Sequence, residues 1–164
     1  FSRLLRDSEL APSACIAAST VSVTRQLEEA YWRTKPTLYR TLRLASCGLW
    51  NPKRQQDRSP FRIAEGYAGV LVKPRFFDRS LDEYPEHLRN VDDVWISACL
   101  TKNRVAIKKC ETFSHQMNWQ NEVNRKDIGR RDALIHTLSD GLGRSALNAE
   151  CIRYAQEHFG IWRS

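Results

Sequence analysis

No stretch of this 164-residue chain approaches the ~20 consecutive apolar residues of a membrane-spanning helix. It has no Cys-x-x-Cys pair: its five cysteines (Cys15, Cys47, Cys99, Cys110, Cys151) are widely spaced, without a histidine at ligand spacing, which argues against a zinc site. Cys15, Cys99 and Cys151 sit in apolar pattern, where a free thiol serves as a small core residue, and a reducing compartment is mildly favoured. None of His87, His115, His136 and His158 has a Ser or Cys partner in a nucleophile motif, so a hydrolytic triad is not expected. The sequence starts at Phe1, without an initiator Met and without a basic-then-apolar leader, so a fragment or processed product is expected, and the compartment is left open.

What is present is the length of one domain, enough to bury a core, and a net charge of +7. Residues 1–60 hold ten Lys/Arg against five Asp/Glu, a surplus of five; the rest of the chain adds two. A basic N-terminal part suits an anionic partner: a nucleotide phosphate, a nucleic acid or an acidic membrane surface. No dense Lys/Arg run occurs and aromatics do not alternate with basic residues, so dedicated nucleic-acid binding is not expected.

Residues 14–23, small and β-branched, predict a strand with a polar continuation. Residues 26–49 carry apolar side chains at helical spacing, broken at Pro36; residues 51–60 are a polar loop. "GVLV" at 69–72 predicts a buried strand, and Pro74 opens a short helix carrying Phe76 and Phe77. A helix follows from Asp92, with Val94, Trp95, Ala98 and Cys99 on one face and its end near Asn103. Residues 105–108 alternate as a strand, and residues 111–131 read as a polar loop. A last helix carries Cys151, Ile152, Ala155 and Phe159, with Asn148 as its expected cap and Gly160 past its end. No repeat and no clear boundary divides the chain, and the mixture indicates an α/β fold.

Two stretches invite chemistry. Glu65-Gly66-Tyr67-Ala68-Gly69 places glycines where they serve backbone freedom, close packing or the approach of a sugar or diphosphate. Asp92 and Asp93 stand together where a helix must begin. An N-cap and a favourable helix dipole explain acids there, together worth about 1–2 kcal/mol. One acid suffices for the cap, leaving the second free to project into a cleft, ionised by the dipole, as a base for a hydroxyl nucleophile.

The order "EGYAGVLVKPRFFD" at 65–78, a polar gap, and "DDVWISACLTKNRVAIKK" at 92–109 resembles the C-terminal half of nucleotide-sugar glycosyltransferases of the GT-A fold. The tail is similar too, through residues 138–143, Arg144, Asn148, Cys151 and "HFGIW" at 158–162. The likeness spans about residues 61–162 and, more loosely, 14–23. It implies a single partial domain over 1–164, the acceptor-side half of a GT-A-like fold with a Rossmann-like mixed sheet. It also implies transfer of a sugar from a nucleotide-diphosphate donor to an acceptor hydroxyl. On the motif match the general base falls on Asp92, with Asp93 the alternate. Glu65, Gly66, Tyr67, Ala68 and Gly69 would line the donor-sugar side, and Trp95 would wall the sugar pocket.

The family's Asp-x-Asp motif, which bridges the diphosphate through Mn²⁺ or Mg²⁺, is absent, as is a Gly-rich strand–turn–helix for the nucleotide. The expectation is a chain that begins after that motif and is inactive alone, with no metal ligand of its own. Two other readings remain. One is a non-catalytic basic binding module, in which the acids cap and the glycines pack; the other is a metal-dependent hydrolase using the same acids. An Asp-x-Asp upstream of Phe1 in the parent gene favours the transferase, and an initiator Met directly before Phe1 favours the module.

Overall fold

The computed structural model describes residues 2–33, 59–110, 138–139 and 142–163. The expected loops at 51–60 (beyond its last two residues) and 111–131, the helical segment past Arg33, Cys47, His115 and His136 lie outside them. The elements are α1 (Ser2–Leu10), β1 (Ala14–Ala17), β2 (Thr20–Ser22), α2 (Val23–Arg33), β3 (Arg62–Ala64) and β4 (Val70–Leu71). They continue with α3 (Asp92–Lys102), β5 (Ala106–Lys109), β6 (Leu138–Ser139), β7 (Leu142–Gly143) and α4 (Arg144–His158).

A small mixed sheet runs β4-β1-β5, β1 antiparallel to β4 and parallel to β5. β1 is buried on both faces, which suits its small side chains. Ala14, Ile16 and Ala18 face Leu4 of α1 and Cys110, while Cys15 and Ala17 face Ala64, Phe76 and Leu100. The sheet is thus a layer between α1 and α3, an α/β architecture. The largest cluster packs α3 on α4 through Val94, Trp95, Ala98, Cys99, Cys151, Ile152 and Ala155, with Val23 and Ile63 beneath. Burial pushes the thiols of Cys15 and Cys151 up to about 12, and that of Cys99 to about 11, so all three are inert core residues as the pattern required.

Several boundaries differ from the sequence expectation. The predicted strand at 14–23 bends at residues 18–19 and leaves the first sheet for a two-stranded ladder, β2 with β3. "GVLV" yields only a two-residue edge strand whose side chains are half-buried, because β4 has a single neighbour in the sheet. The last helix starts at Arg144, one turn before the expected cap; Asn148 instead donates to Gln26 Oε1 of α2 at 3.2 Å. Gly160 does sit just past the end, at φ 66°, the left-handed conformation that glycine adopts freely.

Candidate functional site

The glycine stretch and the acid pair, 27 residues apart in sequence, touch. β3 ends at Ala64, and Gly66–Ala68 forms one turn of 3₁₀ helix closed by the Gly69 N–H donating to Gly66 O. Gly69 then takes φ 102°, which a side chain would resist, so that the chain can enter β4. Two bonds tie the turn to the end of β1: Ser19 Oγ donates to Glu65 Oε2, and the Glu65 N–H donates to Ser19 O. The turn lies against the N-terminus of α3, where the Gly66 N–H donates to Asp93 Oδ1 at 3.0 Å.

Ser97, fully buried, fixes this approach from below. Its Oγ accepts from the Ala64 N–H at 3.0 Å and donates to Asp93 O at 2.7 Å, so one hydroxyl joins β3 to the first turn of α3. Gly66 has room for a side chain only if the Asp93 carboxylate moves. A β-carbon there would stand 2.5 Å from Asp93 Oδ1. Gly66→Ala is therefore expected to break the bond and to cost about 1–3 kcal/mol in urea unfolding. Asp93→Ala should relieve most of that cost in a double-mutant cycle, and additive effects would show that the two residues are not coupled.

The capping explanation for the acid pair fails. A 3₁₀ segment, Glu86–Val91, runs straight into α3, so Val91 occupies the N-cap and no side chain caps the helix. Asp92 and Asp93 are both in the first turn and differ in exposure, the Asp92 side chain 66 % exposed and that of Asp93 23 %. Nor does the helix dipole dominate Asp93: burial raises its carboxyl above the usual range and the neighbouring Asp92 charge adds to this. The Gly66 N–H and Arg144 pull the other way without cancelling the rise.

Arg144, the first residue of α4, is the member of the cluster whose role the sequence did not disclose. Its Nη2 lies 3.5 Å from Asp93 Oδ2 and 3.9 Å from Asp92 Oδ1. A cation at a helix N-terminus opposes the dipole, and the two acids offset that cost. Nearby, the Tyr84 hydroxyl is buried, and burial above all raises its pKa.

The remaining site residues divide. Tyr67 projects from the turn, 71 % exposed, free to lie over a ligand; Ala68 is half-buried and exposes little. Trp95 does not wall a pocket. It is buried in the main cluster, donates from Nε1 to Leu81 O at 3.2 Å, and meets Tyr84 edge-on at 4.9 Å, so its role is to seat the helix that carries the acids. A separate groove of about 190 Å³, lined by residues including Phe61, Arg62, Thr101 and Arg104, lies by the C-terminal end of α3, away from the acids. Among the described residues no three His, Cys, Asp or Glu side chains converge as a metal-binding group, and no helix is long and apolar enough to cross a membrane.

Comparison with known proteins gives no match to this chain among family models, curated proteins or solved structures.

Proposed function

We propose that this chain is the acceptor-side half of a GT-A-like glycosyltransferase that moves a sugar from a nucleotide-diphosphate donor to an acceptor hydroxyl. The observation that carries the reading is the contact between Gly66 N–H and Asp93 Oδ1, which brings the two sequence features of the resemblance into one site. Asp93 is the better-placed base. It is held on two sides, its burial raises its proton affinity, and its Oδ2 keeps a lone pair for a hydroxyl. As the acceptor oxygen forms its bond to the anomeric carbon, its proton passes to Asp93. The bond from that carbon to the diphosphate breaks, and the electron pair leaves with the nucleotide. Asp92 and Arg144 set the local field, and Tyr67 supplies an exposed ring for a sugar face.

The Mn²⁺ or Mg²⁺ that the resemblance implies finds no ligand set among the described residues, and Arg144 already stands beside both acids; no step here passes through a metal. One observation favours the alternative, a non-catalytic basic module: both Asp93 oxygens have protein partners, as in a structural latch. Incubating the full-length parent with a panel of nucleotide sugars, with and without Mn²⁺, separates the two. Release of nucleoside diphosphate supports the transferase; no release from any donor in either condition sinks it.

A further inference from the structure

A second surface lies at the other end of β1, and nothing in the sugar-transfer reading uses it. β1 runs from Ala14 to Ala17; the acids and the glycine turn sit past its C-terminal end, beside Ser19. Before its N-terminal end stands Pro12, whose carbonyl accepts from Lys73 Nζ at 3.0 Å and from Arg75 Nη2 at 2.9 Å. Two cations on one carbonyl are held near each other. Arg104 joins this end of the sheet, because Ala106 pairs with Ala14 and Arg104 precedes it by two residues. Lys73, Arg75 and Arg104 have no carboxylate partner among the described residues. The acids close by in sequence are Asp7 and Glu9 of α1 and Asp78, the last already paired with Lys102 at 3.2 Å.

Large apolar side chains share the same rim. Leu10, two residues before Pro12, is 77 % exposed, and Val72, next to Lys73, is 37 % exposed. Burying the side chain of Leu10 against a partner would recover hydrophobic free energy that its exposure forgoes. A nucleic acid offers cations its phosphates but gives a leucine no place to bury, and the rim carries no exposed aromatic for base stacking. An anionic bilayer satisfies both, through lipid phosphates for Lys73, Arg75 and Arg104 and the acyl boundary for Leu10 and Val72.

We infer that this rim docks on an anionic phospholipid surface, with Leu10 inserting at the headgroup boundary and Lys73, Arg75 and Arg104 on the phosphates. The acid site, roughly 15–20 Å along the strand axis, then faces away from the bilayer. The inference stands apart from the glycosyltransferase reading and fails or survives independently of it.

Co-sedimentation of the full chain with phosphatidylcholine vesicles, with and without phosphatidylserine, tests it. The expected result is binding only where phosphatidylserine is present, and release at high salt. Lys73→Gln with Arg75→Gln should lower partitioning by roughly fivefold or more per residue. Leu10→Ser, which breaks no hydrogen bond, should lower it by roughly tenfold with an unchanged circular dichroism spectrum. Equal binding to neutral vesicles, no binding to either, or Leu10→Ser binding like the wild type would overturn the proposal. So would tight binding to an RNA duplex that depends on the basic residues but not on Leu10.

Discussion

Under the proposed sugar transfer, Asp93→Asn is expected to lower turnover by roughly 10²–10⁴-fold, the usual contribution of a positioned general base. Its stability at neutral pH should be higher. An asparagine oxygen can still accept from the Gly66 N–H, so the glycine turn keeps its anchor. What disappears is a charge that burial and Asp92 disfavour. The folded-state pKa lies above the ordinary 3.8, so between the two values the folded chain holds a proton that the unfolded chain has lost. Stability therefore falls as pH rises through that interval, and the whole cost is present above it. Melts of wild type and Asp93→Asn should converge in acid, where the carboxyl is neutral in both states, and separate at neutral pH with the variant higher. A markedly lower neutral-pH melting temperature would show that the charge stabilises the fold, as a latch with Arg144 would. Asp92→Asn is the companion measurement. Loss of turnover there, with Asp93→Asn active, moves the base to the exposed acid; full turnover in both removes a carboxylate base from the mechanism.

Trp95→Ala should be the most damaging single change to the fold, at roughly 3–5 kcal/mol in equilibrium unfolding. The indole packs against Tyr84, Tyr154 and Phe159 at centroid distances of 4.9, 6.0 and 5.5 Å, and its Nε1–H is satisfied by Leu81 O. Truncation leaves a large void between α3, α4 and the turn at Arg79–Leu81, and strands a carbonyl in it. For a domain stable by about 5–15 kcal/mol, that can empty the native state at body temperature. Trp95→Phe keeps most of the ring contact and gives up the hydrogen bond, so about 1–2 kcal/mol is expected. A cost for Trp95→Ala under about 1 kcal/mol would mean that the residue is peripheral, as a pocket wall would be.

The sequence was informative where a local pattern is also the tertiary pattern. Val94, Trp95, Ala98 and Cys99 recur at helical spacing and all four are buried against α4, while the sheet buries Ser97 and Leu100 on a second side that the pattern did not mark. The helix end at Asn103 and the strand beyond it follow from the same periodicity. Pro74 and Gly160 mark their turns through backbone constraints that act residue by residue. By contrast, "GVLV" is apolar enough for a central strand and became an edge, since apolarity does not record how many neighbours a strand finds. Asn148 has the chemistry of a cap but lies inside a helix, where Gln26 of α2 supplies its bond. For the acid pair, a run of 3₁₀ helix before Asp92, with Leu88 and Val91 fully buried, places Val91 at the cap and both acids inside the helix.

Composition, periodicity and the two short motifs by themselves determined an α/β chain with inert core thiols, a helix opening on two acids, and a glycine turn upstream. They could not determine that Gly66 would meet Asp93, that Ser97 would bolt β3 to α3 beneath them, or that Arg144 would arrive from the far end of the chain. Those contacts span 27, 33 and 51 residues of sequence and depend on bonds made only when strands and helices stack. A local pattern states what a segment needs to bury; which partner answers that need is settled by the packing of the whole chain.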